Sequence, residues 1–311
     1  MVRAALQPRI ELRAMKRLVP LLSAIVVGCA SAPPEPARDA RPLAEILEAS
    51  SPAEWRKPDP ENTFYLDLAT GRVVIELAPA FAPRNVESIK RLVRQKYFDG
   101  LSVYRVQDNF VAQWGDPDEK KDLGGAPKKV APEFSRTIDG GLEFVALPDR
   151  DAYAPETGFS HGFPAARDSG AGRAWLTHCY GTLGVGRDND EDSGNGAELY
   201  VVIGNAPRIL DRNITVAGRV IRGIELLSAL PRGTGNLGYY EKPEQRTPIR
   251  QARMAADLPQ SERTPLEILR TDSPTFRALV DGRRFRKDQW YKVPAGAVDV
   301  CALTVPVRAP K

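Results

Sequence analysis

Phe64, Leu66 and Leu68 alternate with Thr63, Tyr65 and Asp67, a period of two that predicts a half-buried strand. Ala69-Thr70-Gly71-Arg72 reads as a turn, and Val73, Ile75 and Leu77 return as the hairpin partner. Pro79 to Pro83 breaks that pattern. Over Asn85 to Lys96 the period changes, with Val86, Ile89, Leu92 and Val93 at helical spacing and Lys90, Arg91 and Arg94 outward. Phe98-Asp99-Gly100 then turns the chain into Val103 to Asp116, VYRVQDNFVAQWGD, two short strands about the polar turn Gln107-Asp108-Asn109. Strict alternation puts Tyr104 and Val106 on one face, Val103 and Arg105 on the other; after the turn, Val111 and Gln113 share a face opposite Ala112. Leu199 to Ile203 is a continuous apolar run, expected to be a buried strand. Thr215 to Val220 reads as a strand, Ile221 to Leu230 as a helix with Ile224, Leu227 and Leu230 on one face, and Ile249 to Ala255 as a closing strand.

With 311 residues, 42% hydrophobic and 27% charged, the chain has the balance of a soluble globular protein with room for one barrel domain and extensions. Its net charge of +4 is small and interleaved, which gives no support to a nucleic-acid partner. Three cysteines are too few for a disulfide scaffold. From Met15, which reads as the start, Lys16-Arg17 precedes the apolar run Leu18 to Val27 and then Gly28-Cys29. That run is too short to span a bilayer. Val26-Val27-Gly28-Cys29 resembles the lipobox of bacterial lipoproteins, which implies a signal peptide over 1–28 and a lipidated Cys29 as membrane anchor. The competing reading is cleavage after Ala30-Ser31-Ala32, which Pro33 disfavours. The Pro- and Ala-rich stretch 29–60 reads as a tether with one short helical possibility, Leu43 to Ala49.

An arginine and a glutamine on paired strands fit either a wet outer face or a polar groove beside Phe110 and Val111. Arg105, Phe110 and Gln113, ending in Trp114-Gly115-Asp116, resemble the signature of the cyclophilin family of peptidyl-prolyl isomerases, and this favours the groove. The family's first segment is phenylalanine-histidine-arginine; Val103-Tyr104-Arg105 stands here. Val111 replaces the family's methionine and Trp114 its first glycine. The resemblance runs from about Asn62 to Leu258 and implies a mainly β fold: a closed antiparallel barrel of about eight strands capped by two helices, in a domain over 61–258. Gly181 to Gly186 then matches the strand entering the second groove wall, and Val130 to Phe134 the family's glutamate-phenylalanine loop. About 136–177 is an insertion whose Phe144, Tyr153, Phe159, Phe163 and Trp175 argue for packing. Residues 259–311 form a C-terminal extension, in which Ser273-Pro274 opens a helix and Val298 to Val307 reads as strand-like.

The resemblance assigns catalysis to Arg105, Phe110 and Gln113. It makes Val111, Tyr200 and Leu210 lining of a proline pocket, with Gly186 and Arg187 for the usual alanine-asparagine pair. Glu198 stands for glutamine, Ile209 for the groove tryptophan and Ile214 for histidine. Proline-containing polypeptides are the implied partners, without a cofactor, and the leader places the protein on the periplasmic side of the envelope, anchored or soluble. A peptide-binding module with little turnover is the alternative. Asp188 to Gly194 alternates acidic residues, but an EF-hand would need Gly and Glu where Ser193 and Leu199 stand, so no metal is expected. His178-Cys179 lacks the spacing of a metal site, and no Gly-x-Ser-x-Gly elbow is present.

Overall fold

The computed structural model describes residues 41–310; the signal segment 1–28 and Cys29 lie outside them. Eight strands close an antiparallel barrel: β1 (Thr63–Leu68), β2 (Gly71–Leu77), β3 (Ser102–Val106), β4 (Val111–Gly115), β5 (Thr182–Val185), β6 (Leu199–Val202), β7 (Val216–Arg222) and β8 (Thr247–Met254). Around the barrel they run β5-β6-β4-β3-β8-β1-β2-β7, and β7 pairs back onto β5. Closure removes the unpaired edges that an open sheet would leave. Inward positions of every strand, among them Phe64, Leu66, Ile75, Val103, Val106, Trp114, Leu199 and Val201, fill the interior.

Among the described residues four helices accompany it: α1 (Leu43–Glu48), α2 (Pro83–Arg94), α3 (Ile224–Ser228) and α4 (Pro274–Phe285). α2 and α3 close the barrel, giving it Val86, Ile89, Leu92, Val93 and Leu227. The N-terminus of α2 has no cap of its own. Glu133 supplies one from a distant loop, accepting from the Arg84 and Asn85 N–H groups at 3.0 and 2.9 Å. α3 is shorter than the 221–230 reading because Ile221 and Arg222 belong to β7, and Gly223 turns in the left-handed region (φ +85°) to start the helix.

The insertion is a five-stranded antiparallel sheet. In spatial order its strands are Arg136–Thr137, Arg173–Leu176, Phe163–Asp168, Glu156–Ser160 and Val145–Ala146. Residues 41–60, read above as the end of a tether, are built into the fold. Trp55–Arg56 pairs with Glu267–Leu269, and that strand pairs with Val307–Arg308. Ile46 of α1 lies with Phe276, Leu279 and Val280 of α4 in a second core, where Phe159 from the insertion and Tyr65, Val74 and Ile221 from the barrel wall also meet. Residues 298–307 are not the strand their composition suggested: a short turn, Val300–Ala302, buries Val300, and only Val307–Arg308 is extended in a ladder. Cys179 and Cys301 are disulfide-bonded, tying the extension to the chain just before β5.

Candidate active site

Arg105 on β3 lies opposite Gln113 on β4, and Gln113 lies opposite Tyr200 on β6. Three adjacent strands therefore present one row of side chains on the outer face of the barrel. A β-bulge shapes it. The register shifts between Val103 and Arg105, so both Val103 and Val106 face the core while Tyr104 and Arg105 turn outward together. Strict alternation had paired Val103 with Arg105, and the extra residue is what breaks it. Beyond the bulge the turn reverses through Asn109, whose φ of 51° is left-handed.

The cavity over this row has a volume of about 970 Å³. At one end Val111, Tyr200 and Val202 form an apolar floor, with Phe110 and Ile214 packed on it. Leu210, Gly186, Arg187 and Glu198 also line the cavity. Gly184 makes room for the floor, because a Cβ there would meet the Tyr200 ring at 2.1 Å. Ile209 is left outside. It is 74% exposed and contributes nothing to the lining, so its assignment to the groove is corrected. The cause is the short turn Arg208–Leu210, which steps side chains by about a third of a revolution each. Arg208 is pulled inward by Asp211 at 2.5 Å and Asp151 at 3.0 Å, and its neighbour Ile209 is thereby turned to solvent.

The Arg105 guanidinium is held from three directions: Nε donates to the Leu237 carbonyl at 2.8 Å, one terminal nitrogen to Gln113 Oε1 at 3.0 Å, and the other to Gln107 Oε1 at 2.5 Å. Its carbon sits 5.7 Å from the Phe110 ring centre and 5.3 Å from that of Tyr239. Gln113 Nε2 donates to Tyr104 Oη at 2.5 Å, and the Tyr104 hydroxyl donates to Glu198 Oε2. A chain of hydrogen bonds thus runs Glu198–Tyr104–Gln113–Arg105. Arg187 is drawn aside to the carbonyls of Asn213 and Asp188 at 3.0 and 2.6 Å.

The family profile described as "Cyclophilin type peptidyl-prolyl cis-trans isomerase/CLD" matches residues 63–254, more than half of the chain. The chain belongs to the cyclophilin-type peptidyl-prolyl isomerases. The crystal structure of cyclophilin AquaCyp293 from Hirschia baltica superposes with a TM-score of 0.65 at 30% identity, covering 83% of this chain and 94% of that one. A "Probable peptidyl-prolyl cis-trans isomerase" of Brucella suis is 28% identical over 57% of this chain and 74% of its own. The human "Peptidyl-prolyl cis-trans isomerase-like 1" is 25% identical over 58% and 84% respectively.

The sequence reading left Tyr239 and His178 out of this cyclophilin site. Tyr239 stacks on Tyr104 with ring centres 5.8 Å apart and forms a bridge with Arg105. Its signal was a glycine-rich approach, since a Cβ at Gly238 would come within 2.5 Å of the Gln107 Cα. His178, fully buried, hydrogen-bonds Asp211 at 3.0 Å through Nδ1 and the Tyr200 hydroxyl at 2.9 Å through Nε2, and so fixes the pocket floor from behind. Burial works to raise the Asp211 carboxyl, but hydrogen bonds from His178 and Arg208 outweigh it and hold the pKa low. The acidic loop 188–194 has its own partner: Lys129 reaches Asp192 at 2.9 Å and Asp190 at 3.4 Å.

Glu198 is the titrating member of the site. Burial pushes its carboxyl up to about 7 from an ordinary 4.5, and the Tyr104 hydrogen bond only partly offsets this. A raised carboxyl binds its proton more tightly folded than unfolded. Its stabilising contribution is therefore complete below pH 4.5 and lost as the pH rises through 7. Glu198→Gln should flatten the fall in stability across that window, worth on the order of 3 kcal/mol, and with it the fall in melting temperature. Thermal melts at closely spaced pH values on both proteins check it; parallel profiles would remove Glu198 as the source.

Proposed function

We propose that this isomerase acts on X-Pro bonds of proline-containing polypeptides in the cell envelope, assists their folding, and is held at a membrane through a lipidated Cys29. The observation that carries the chemistry is the Arg105 guanidinium, fixed from three directions beside an apolar pocket. Rotation about the prolyl amide is opposed by resonance, with a barrier of about 18–20 kcal/mol. Twisting the bond returns a lone pair to the prolyl nitrogen. A donor already fixed beside that nitrogen stabilises the twisted amide more than either planar isomer, which is what acceleration requires. Arginine suits the task because it stays charged and transfers no proton.

In this reading the prolyl ring enters the pocket of Phe110, Val111, Tyr200, Leu210 and Ile214. Gln113 orients Arg105 and holds a substrate backbone group. A primary amide has two N–H donors and two lone pairs, so the bonds to Tyr104 and Arg105 use half its capacity. The full chain should shorten the proline-limited phase in the refolding of a client polypeptide. Peptide binding without that acceleration would favour the binding-module reading.

Envelope placement is supported by the Lys16-Arg17 start, the apolar run to Val27 and Gly28-Cys29. The Cys179–Cys301 bond adds support, since such bonds persist in oxidising compartments. Cys29→Ala is expected to move the protein from the membrane to the soluble fraction of fractionated cells. A mature N-terminus mapped away from residue 29 would count against lipidation.

A further inference from the structure

The loop after α4 is ordered at its base and bare at its tip. Gly296 N–H donates to the Arg284 carbonyl at 2.8 Å, closing the loop on itself. Asp149 of the insertion clamps both ends, accepting from the Arg284 guanidinium at 2.9 and 3.0 Å and from Val298 N–H at 2.9 Å. Within the loop, the Asp288 carboxylate accepts from the Trp290 and Tyr291 N–H groups, both at 2.8 Å, and pairs with Arg286 at 2.7 Å. Arg286 in turn lies 4.2 Å over the Tyr291 ring. All this structure serves to present side chains that water does not favour: every residue from Gln289 to Ala297 is exposed, Trp290 to 83% and Val293 to 81%.

The charge of the chain gathers at the same place. Arg283 to Lys292 holds five basic residues against the single acidic Asp288, a net +4 that equals the formal charge of the whole protein. Arg284 and Arg286 are engaged in ion pairs, so the charge offered outward is that of the exposed Arg283, Lys287 and Lys292.

We infer that this loop docks on an anionic phospholipid surface, with Trp290, Tyr291 and Val293 entering the headgroup region and Lys287 and Lys292 meeting the headgroup charges. Indole and phenol rings favour the membrane interface because each has an apolar body and a polar edge. Lysine stems lie along apolar surface while the ammonium reaches the phosphates. Three apolar side chains on a narrow loop fall far short of the roughly 800 Å² per partner that a stable protein interface buries. They suffice for shallow insertion, where apolar contact and attraction to anionic lipid act together. This goes beyond the function proposed above and does not need Cys29 to be lipidated; docking through one shallow loop is reversible, so the Cys29→Ala protein still washes into the soluble fraction of fractionated cells.

The other three tryptophans, Trp55, Trp114 and Trp175, are at most 9% exposed, so changes in tryptophan emission on docking report Trp290. The test uses the full chain carrying Cys29→Ala, which takes no acyl group. Vesicles are of phosphatidylcholine alone or mixed with phosphatidylglycerol, with brominated acyl chains as quencher. Mixed vesicles should shift the emission to the blue and quench it, and Trp290→Phe should remove that response. Lys287→Glu with Lys292→Glu should raise the lipid concentration for half-binding at least about tenfold. Emission that stays fully open to acrylamide in the presence of mixed vesicles overturns the inference. So does half-binding unchanged by the double charge reversal.

Discussion

Arg105→Ala should leave a folded barrel with kcat/KM lowered about 10²–10³-fold, the cost of removing one preorganised donor from a developing charge. The barrel survives because Arg105 belongs to the outer row and not to the interior packed by Val103, Val106 and Trp114. Its three hydrogen bonds go to Leu237, Gln113 and Gln107, none of them part of the barrel interior, so their loss falls on the site. Arg105→Lys separates charge from geometry. A lysine keeps the positive charge but cannot donate in a planar fork to three acceptors, so it should recover only a small part of the activity. Peptide isomerisation kinetics beside a thermal melt would decide. Near-normal turnover in a folded Arg105→Ala protein would remove Arg105 from the mechanism.

Elements with one clear pattern were legible: the hairpin of β1 and β2 and the α2 helix follow from their periods, and the wholly buried β6 from its continuous apolar run. The bulge at Tyr104 was not, because a period of two has no place for an extra residue and no glycine marks it. That omission hid the link from Glu198 through Tyr104 to Gln113. Residues 41–60 misled by composition. Their prolines open short helical turns, Pro52–Glu54 and Pro60–Asn62, and Trp55 and Ile46 between and before them are buried. The strands of the insertion are mostly too short for alternation to register, although its aromatic content did indicate packing. Ile209 came from the family resemblance, and there the buried Arg208 pair decides the local geometry instead. A long-range partner such as Asp151, 57 residues away, leaves no mark on the sequence near Arg208.

Replacing both Cys179 and Cys301 with alanine is expected to cost about 3–5 kcal/mol of stability and to loosen the proline pocket as well. The bond joins residues 122 apart in sequence. A cross-link over so long a loop removes much of the freedom of the unfolded chain, about 4–5 kcal/mol in the chain-entropy account. In the folded state it pins the turn around Val300, with Leu303 and Val305, to the second core that α1, α4 and the insertion share. The effect on function follows from the neighbouring residue. His178 precedes Cys179 and holds Tyr200 from behind, and Tyr200 is the pocket floor. Freedom at residue 179 therefore reaches the surface on which the prolyl ring rests. Substrate KM should rise several-fold while kcat changes less, because Arg105 and Gln113 stand on β3 and β4, away from the bond. Reduction of the parent protein should reproduce both effects, and the double variant should no longer respond to reductant. A lowered melting temperature with unchanged KM would confine the disulfide to holding the extension in place.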